Sequence, residues 1–349
     1  MATIVLTGGG TAGHVIPHLA LLPYLKNDFD KIYYIGSKSG MEKEIIKKIG
    51  LKYYSVPCTK LVRKFTLKNF AIPFILFKGV RKAGKILDDL KPDVIFSKGG
   101  YVSLPVVIAA KKRKIPVIAH ESDYSVGLAN RISAKYCDKV LTAFPSAAKS
   151  LKNGVHIGAP LKNSLYSVNK ADSLKLFGFS GKKPVLLITG GSLGAAAINS
   201  AARQALNKLL PDFDILHICG KGNSSGINKT GYKEIEFTDQ MEKAFACADI
   251  CVSRAGANTV FETASLKIPT LLIPLPKTVS RGDQILNAEY FQGLGLARVL
   301  YQENLTPDTL SDSVRSVYLD RERFASAFKR HPINSAAHKI AKILAKYRH

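Results

Sequence analysis

The chain has 349 residues, 46% of them apolar, and its 51 basic and 26 acidic side chains give a formal net charge of +25. This length is typical of two domains of ordinary size. A basic excess this large favours polyanionic partners such as nucleic acid, anionic lipid or phosphorylated substrates. The sequence has no zinc-finger, RNP or KH signature, so nucleic acid is not an expected partner.

The five cysteines are odd in number and form no C-x-x-C pair. This pattern is typical of buried thiols in a reducing compartment, and we expect neither a metal site nor a cofactor. The first residues already read as a strand, so we expect no secretory signal. No apolar run reaches the ~18 residues that would span a bilayer.

Short apolar runs alternate with amphipathic stretches that have helical spacing. The predicted strands are Thr3–Leu6, Lys31–Ile35, Val94–Phe96, Val117–His120 and Lys139–Thr142 in the first half, and Pro184–Ile188, Ile215–Ile218, Ile250–Val252 and Thr270–Ile273 in the second. Strands that alternate with helices predict an α/β protein whose parallel sheets are covered on both faces.

The pattern begins twice. Ile4–Gly10 and Leu186–Ser192 each lead from a strand into a glycine loop, which indicates two Rossmann-type halves in tandem with a linker near Gly158–Pro184. We expect an N-terminal domain over residues 1–162 and a C-terminal domain over residues 163–330. Residues 331–349 are expected to form a final helix, with packing against the N-terminal domain as one option.

The first glycine loop, Gly8–His14, lies between a strand and a helix, where backbone N–H groups can approach a phosphate. A dinucleotide fingerprint is disfavoured because Ile35-Gly36-Ser37 ends the next strand without the acidic residue that binds an NAD ribose. The second loop, Gly190–Ala195, is compatible with a phosphate site or with a purely structural turn.

A third segment, Ser253–Glu262, joins a strand to a helix through small residues. Glu262 lies early in that helix, where a carboxylate can complement the helix dipole or accept the hydroxyls of a ribose. Further on, Gln284 and Asn287 are three residues apart and share one helical face.

Together these segments resemble the motifs of the MurG glycosyltransferases. The matching stretches, in chain order, are Gly9–His14 with Pro17, Gly99–Pro105, His120–Asn130, Gly190–Ala195, Ser253–Glu262 and Gln284–Ala288. They cover the chain from residue 4 to about residue 300, and six motifs in order make a chance similarity implausible.

The resemblance implies a GT-B fold, in which two Rossmann-like domains with parallel sheets face a central cleft. It also implies an inverting, metal-independent transfer of N-acetylglucosamine from UDP-N-acetylglucosamine to lipid-linked muramyl-pentapeptide (lipid I). The product would be lipid II for peptidoglycan synthesis, needed for cell shape and division. The enzyme would be peripheral, at the cytoplasmic face of the bacterial inner membrane.

The resemblance assigns roles to individual residues as well. Ser192 and the backbone of Ala257, Asn258, Thr259 and Val260 would bind the diphosphate of the donor. Glu262 would bind the ribose, Gln284 and Asn287 the sugar, and the backbone near Thr238 the uracil. The reacting sugar and the acceptor diphosphate would be bordered by Thr11, Ala12 and Gly13. Three positions depart from the usual pattern of the family. Ala12 replaces a glycine, Asp123 an asparagine near the sugar, and Lys162 an arginine near the nucleotide.

The catalytic base is left open among a few residues. His14 is the first candidate, because its ordinary pKa of about 6.5 suits proton transfer near neutrality. The alternatives for His14 are a hydrogen bond to phosphate or a role in shaping the loop. Glu121 and Asp123 are further candidates, whereas His120 is expected to be a structural residue at a strand end.

Three rival functions share parts of this pattern. They are a diacylglycerol glycosyltransferase, a UDP-N-acetylglucosamine 2-epimerase and a non-catalytic protein that binds UDP-sugars. The Gly99–Pro105 and His120–Asn130 segments favour the muramyl acceptor, since they belong to the acceptor half of the family's enzymes. Both glycine loops and Glu262 are retained, which argues against a non-catalytic role.

Residues 60–85 carry eight basic side chains and no acidic one. The apolar residues among them include Phe70, Phe74 and Phe77 at helical spacing. One interpretation is a core helix with a solvated basic face. The other is an anchor on an anionic membrane surface, with apolar side chains in the interface and lysines at the headgroups.

Overall fold

The computed structural model describes residues 1–59, 71–191 and 194–349, without the side chain of Ala12. The chain divides into two compact units. The N-terminal unit comprises Met1–Lys162 together with Ser335–His349, and the C-terminal unit is Asn163–Asn334.

The N-terminal unit contains a sheet of seven strands that all pair in parallel. Its strands are β1 (Thr3–Thr7), β2 (Lys31–Gly36), β3 (Lys52–Ser55), β4 (Val94–Ser97), β5 (Val117–Glu121), β6 (Lys139–Thr142) and β7 (Gly154–His156). The spatial order is β3-β2-β1-β4-β5-β6-β7. The central strands are buried along their whole length, as expected for a parallel sheet covered on both faces.

In the described residues, six helices of this unit alternate with its strands. They are α1 (Ile16–Asp28), α2 (Met41–Lys48), α3 (Ile72–Leu90), α4 (Leu104–Lys112), α5 (Leu128–Ala134) and α6 (Pro145–Lys149). The direction of winding reverses between β1 and β4, because the chain runs outward from β1 to β3 and then returns. In folds of this kind, ligands bind beyond the carboxyl ends of the strands at such a switch point.

The C-terminal unit repeats this plan with six parallel strands in the order β10-β9-β8-β11-β12-β13. The strands are β8 (Val185–Thr189), β9 (Asp214–Ile218), β10 (Tyr232–Ile235), β11 (Ile250–Ser253), β12 (Thr270–Leu272) and β13 (Arg298–Val299). Its helices are α7 (Lys170–Phe177), α8 (Ala196–Gln204), α9 (Leu206–Leu209), α10 (Met241–Cys247), α11 (Ala257–Ser265), α12 (Asp283–Gly293), α13 (Pro307–Leu319) and α14 (Arg321–Arg330). The switch point lies between β8 and β11.

The last helix, α15 (Ala337–Ala345), packs on α1 in the N-terminal unit. Its buried face, which includes Ile340 and Leu344, joins the same apolar cluster as Leu21 and Leu25 of α1. The Arg348 guanidinium also lies 2.9 Å from the carboxylate of Asp28. The C-terminal segment thus completes one side of the N-terminal core.

The segment predicted as a linker is more ordered than expected. It contains a 3₁₀ turn at Asn163–Tyr166 and the helix α7. Asn169, which had suggested a linker, is the N-cap of α7, and its side-chain oxygen accepts a hydrogen bond of 2.7 Å from the Ala171 N–H. Asparagine is common both in loops and at helix N-caps, so composition alone could not distinguish the two.

Candidate active site

The first glycine loop lies beside the segment that follows β4, because β1 and β4 are paired neighbours. From β1 the chain passes through Gly8–Gly10 and a 3₁₀ turn at Ala12–His14 before α1 begins. A Cβ on Gly100, in the segment after β4, would lie 2.6 Å from the Gly9 carbonyl oxygen. The two loops therefore approach each other through glycine backbone.

His14 is half-buried at the end of this loop, next to the half-buried Gly13 and the exposed Thr11. Its Nδ1 lies 3.0 Å from the Gly9 carbonyl oxygen and 3.3 Å from the Thr11 hydroxyl. A carbonyl oxygen can only accept, so Nδ1 carries the proton of the neutral ring. Nε2 then has the lone pair that a general base requires.

Lys98, at the end of β4, is 1% exposed and reaches the end of β5. Its ammonium lies 2.7 Å from His120 Nδ1 and donates to the Ser122 hydroxyl at 2.6 Å. Burial lowers the pKa of Lys98 to about 8, while the carboxylates of Glu121 and Asp123 act in the opposite direction. The half-buried Asp123 therefore has a buried cation nearby that offsets its charge.

His120 is buried at the end of β5 as a neutral ring. Because the Lys98 ammonium only donates, His120 Nδ1 accepts, and its Nε2–H donates to the Gly158 carbonyl at 2.9 Å. Burial, and secondly the charge of Lys98, lower the pKa of His120 well below its usual value. These contacts give His120 a structural role at the strand end.

Glu121 is buried beside it and accepts four hydrogen bonds. They come from the backbone N–H groups of Ser122, Asp123 and Gly127 and from the Asn130 amide, at 2.8 to 3.2 Å. Both carboxylate oxygens are thus directed at groups of its own segment, and the side chain is only 4% exposed. The geometry therefore favours His14 over Glu121 as the base.

In the C-terminal unit, the second glycine loop leaves β8 at the corresponding position of the sheet. Ser192, assigned to the diphosphate, lies outside the described residues. The flanking Gly194 has a φ of +75°, and a Cβ there would lie 2.1 Å from the Cys219 carbonyl oxygen. Only glycine allows this close approach between the loop and the end of β9.

The third segment follows β11, the neighbour of β8. Helix α11 begins after Gly256 without a side-chain cap, so the amides of Ala257, Asn258 and Thr259 point out of its N-terminus, whereas the Val260 N–H donates to the Gly256 carbonyl at 3.1 Å. Glu262 is half-buried slightly more than one turn further on. Arg254 supports the preceding loop, because its guanidinium donates to the carbonyls of Ile273 and Pro274.

The two polar residues of α12 bind backbone at neighbouring strand ends. Gln284 Oε1 accepts from the Leu275 N–H at 3.1 Å, and the buried Asn287 amide donates to the Ala255 carbonyl at 3.1 Å. Thr238, half-buried after β10, accepts from the Gln240 N–H at 3.0 Å. Lys162 is half-buried as the final residue of the N-terminal unit's first segment.

Family models match both units. The N-terminal domain of glycosyltransferase family 28 matches residues 4–142, and its C-terminal domain matches residues 185–344. The chain belongs to glycosyltransferase family 28. The predicted GT-B class, with its two parallel-sheet α/β domains, is confirmed, and so is the resemblance to the MurG group of this family.

Relatives within the family match over the whole chain. The UDP-N-acetylglucosamine--N-acetylmuramyl-(pentapeptide) pyrophosphoryl-undecaprenol N-acetylglucosamine transferase of Clostridium kluyveri is 46% identical, with 100% of both chains covered. The protein of the same name from Clostridium botulinum (strain Langeland) is 45% identical over 99% of each. Both alignments include the glycine loops and the last helix.

Solved structures agree. The crystal structure of MurG from Acinetobacter baumannii has a TM-score of 0.77 and 26% identity, covering 99% of this chain and 100% of that one. The UDP-GlcNAc 2-epimerase of Neisseria meningitidis, bound to UDP-GlcNAc, has a TM-score of 0.67 at 14% identity, covering 99% and 100%. The second likeness shows only a shared fold.

Near the N-terminal loops of this family-28 protein, the sequence analysis missed two buried charges, Lys98 and Glu42. Lys98 lies two residues after the predicted strand Val94–Phe96 and directly precedes the Gly99–Pro105 motif, so its position at the sheet edge was a usable signal. Glu42 lies in an otherwise ordinary amphipathic helix. Its burial follows from the packing of α2 beneath the first glycine loop, which no local pattern reports.

We predict that Lys98 makes stability rise with pH in the alkaline range. The pKa of Lys98 is about 8 in the folded protein and 10.5 when the side chain is exposed in the unfolded chain. Between these two pH values the unfolded chain therefore binds more protons than the folded protein. The unfolding free energy of wild type minus that of Lys98→Met should therefore increase by about 1.4 kcal/mol per pH unit above about pH 8. Urea unfolding of both proteins at pH 7, 8, 9 and 10 measures this, and parallel pH profiles would contradict it.

Proposed function

We propose that this protein transfers N-acetylglucosamine from UDP-N-acetylglucosamine to lipid-linked muramyl-pentapeptide, with inversion at the anomeric carbon. The observation that carries the proposal is the full-length match, at 46% identity, to a transferase named for this reaction. The local geometry supports it. Each unit presents a glycine loop at the switch point of its sheet, where Rossmann-type folds bind ligands.

The C-terminal unit has the groups that a nucleotide-sugar donor requires. The amides of Ala257, Asn258 and Thr259 at the start of α11 and the loop containing Ser192 are assigned to the diphosphate; Val260, which the resemblance also assigned to it, donates its N–H to the Gly256 carbonyl instead. Glu262 is assigned to the ribose hydroxyls and the backbone near Thr238 to the uracil. Gln284 and Asn287 would line the sugar site, Gln284 through its amide nitrogen and Asn287 by holding the Ala255 carbonyl in place.

The N-terminal unit supplies the acceptor side and the base. In the proposed step, His14 Nε2 takes the proton of the acceptor hydroxyl as that oxygen bonds to the anomeric carbon and the bond to UDP breaks. Thr11, Ala12 and Gly13 would border the reacting sugar, with Asp123 and Lys162 near the sugar and nucleotide. Backbone amides and a helix N-terminus are preorganised dipoles that stabilise the leaving diphosphate, so we propose that no metal is required.

Incubation with labelled UDP-N-acetylglucosamine and a short-chain muramyl-pentapeptide lipid tests the reaction directly. We expect a disaccharide-lipid with a β linkage, formed at the same rate in excess EDTA. Release of UDP without acceptor would instead favour an epimerase. Binding of UDP-sugar with neither outcome would leave a non-catalytic protein, and loss of activity in EDTA that only a divalent ion restores would refute metal independence.

We predict that Glu262→Ala weakens the binding of UDP itself. Loss of a carboxylate that accepts two ribose hydroxyls costs ~1.5–3 kcal/mol, and UDP contains that ribose. Calorimetric titration with UDP measures the loss. Glu322→Ala, an exposed glutamate on α14 of the same unit, is the control and should bind UDP like wild type. Unchanged UDP affinity in Glu262→Ala would remove Glu262 from the site.

We also propose that the enzyme is peripheral at the cytoplasmic face of the inner membrane and binds anionic lipid through residues 60–85. Residues 60–70, including Phe70, lie outside the described residues. In α3, Phe74 and Phe77 are 60% and 64% exposed, and the Lys78 ammonium lies 4.2 Å from the centre of the Phe74 ring. No helix in the described parts of the chain is long and apolar enough to cross a bilayer.

The structure of α3 agrees better with an anchor than with a core helix. Its buried face, with Ala83, Gly84, Ile86 and Leu87, is opposite to the face that carries the phenylalanines. The exposed face also carries four basic side chains, Lys78, Arg81, Lys82 and Lys85. Each basic residue near an anionic surface contributes about 1 kcal/mol, so the four together favour binding at low salt.

We predict that two variants no longer sediment with anionic vesicles. The first combines Phe74→Ser with Phe77→Ser, and the second combines Lys78→Glu, Arg81→Glu and Lys82→Glu. Turnover on the short-chain acceptor should survive, because the altered side chains are solvent-exposed. Leu319→Ser is the matched control, since Leu319 is 73% exposed but lies in the C-terminal unit. Vesicle binding that persists, or activity on the short-chain acceptor that disappears, would place the anchor elsewhere.

A further inference from the structure

A buried carboxylate lies beneath the first glycine loop, where the sequence suggested that an anion would bind. Glu42, in the first turn of α2, is fully buried. Its Oε1 accepts from the Ser37 N–H at 3.0 Å and the Ser37 hydroxyl at 2.5 Å. Its Oε2 accepts from the Gly10 N–H at 3.3 Å. The carboxylate therefore takes the place of an external anion at this amide.

The titratable groups that face Glu42 are uncharged near neutral pH. They are Tyr34 of β2, Tyr53 of β3, Cys58 and Tyr101. Burial raises the pKa of all four groups, and the charge of Glu42 raises it further, so that Cys58 titrates at about 11. In the described structure, hydrogen bonds hold this carboxylate among neutral acids.

One peptide group connects this carboxylate to His14. The Gly9–Gly10 peptide donates its N–H to Glu42 and accepts at its C=O from His14 Nδ1–H, at 3.0 Å. Because both groups belong to one planar amide, they move together. Hydrogen bonds in such a series polarise one another, so the carboxylate makes the carbonyl a better acceptor.

We propose that Glu42 is a positioning residue for His14, acting through the Gly9–Gly10 peptide to fix the Nδ1–H tautomer and increase the basicity of Nε2. This inference rests on the proposed function, in which His14 Nε2 takes the acceptor's proton. It assigns Glu42 the part that an aspartate plays toward a catalytic histidine, with one peptide group inserted between them.

The glycines of the loop fit this role. A Cβ on Gly9 would lie 2.6 Å from Glu42 Cδ, and a Cβ on Gly10 would lie 2.8 Å from the Tyr101 ring. Gly10 also has a φ of +87°, in the region that favours glycine. The loop therefore consists of glycines because the Glu42 carboxylate and the Tyr101 ring approach its backbone closely. The Gly10 amide, which donates to Glu42, is not available to a substrate phosphate.

The isosteric variant Glu42→Gln tests the inference. The one side-chain oxygen of this variant can accept from Ser37, and the amide nitrogen then faces the Gly10 N–H. Because that nitrogen cannot accept, the hydrogen bond from Gly10 is lost. We expect kcat on the short-chain acceptor to fall about 10–100-fold, the usual effect of removing the partner that orients a functional histidine. The acid-limb pKa of kcat/KM should also fall, because a lost negative charge disfavours the imidazolium. Binding of UDP should not change.

Few other groups complicate this pH profile. His18 of α1 feels the charge of His14, but burial, and secondly the charge of Lys98, lower its pKa to about 3. Lys98 titrates at about pH 8, so the comparison is confined to the acid limb, between about pH 5 and 7, where Lys98 stays charged and Tyr101 and Cys58 stay neutral because their pKa values are raised. Glu44→Gln, which removes the same charge from the exposed side of α2, is the matched control and should keep the wild-type profile.

A double mutant separates positioning from folding. If Glu42 acts through His14, adding Glu42→Gln to His14→Ala causes no further loss of kcat. An equal loss in both backgrounds would make Glu42 merely structural and overturn the proposal. If Glu42→Gln does not fold, Glu42→Asp, which keeps the charge but withdraws it from Gly10, is examined in the same way and should show a smaller shift in the same direction.

Nitrogen-15 NMR of labelled histidine tests the inference without turnover. The His14 signals, assigned by their loss in His14→Ala, should show the Nδ1–H tautomer in wild type. Folded Glu42→Gln should show a mixture of tautomers and a lower His14 pKa. An unchanged tautomer and pKa would refute the role of Glu42 even in an active enzyme. An inactive wild type with the expected NMR shift would refute the proposed function alone.

Discussion

Parallel strand pairing is the constraint on which both candidate sites depend. It places the carboxyl ends of all strands at one edge of each sheet, so residues distant in sequence meet there. In the N-terminal unit this edge joins the loops after β1, β4 and β5, and in the C-terminal unit those after β8, β11 and β12. Each loop can vary in sequence while the sheet keeps its position.

Within that frame, the N-terminal edge is organised by two buried charges of opposite sign. Lys98 fixes the protonation of His120 and offsets Asp123, whereas Glu42 orders the peptide that contacts His14. Both charges lie beneath the loops and are separated from solvent, so their hydrogen bonds are stronger than they would be at a surface. The two histidines consequently have opposite tautomers, Nε2–H on His120 and Nδ1–H on His14.

The sequence predicted the central strands well and missed the outer ones. All nine predicted strands were found, with ends that agree to within a residue, because buried parallel strands are continuous apolar runs. The four missed strands, β3, β7, β10 and β13, are the edges of the two sheets. Edge strands are short and partly solvated, and KYYS over Lys52–Ser55 has no apolar run to mark it.

The residues of the candidate sites likewise divide into those that the sequence predicted and those that it missed. Residues that lie in glycine-rich motifs, such as His14 and Glu262, could be proposed from local pattern and from the family resemblance. Glu42 could not, and for Lys98 the sequence indicated a place at the sheet edge but not its burial, because the burial of both residues comes from what packs above them. A lysine or glutamate in an amphipathic segment is normally solvated, and only the three-dimensional neighbours reveal that these two are buried. Tautomers likewise depend on partners that sequence spacing does not specify.

The packing of α15 on α1 has a consequence for how the protein is made. The C-terminal unit is continuous in sequence, but the N-terminal unit is interrupted by it and closed only by residues 335–349. During synthesis Leu21 and Leu25 gain their apolar neighbours on α15 only after the whole C-terminal unit has been made. The C-terminal unit can therefore fold while the earlier unit is still incomplete, reversing the usual order in which domains mature on the ribosome.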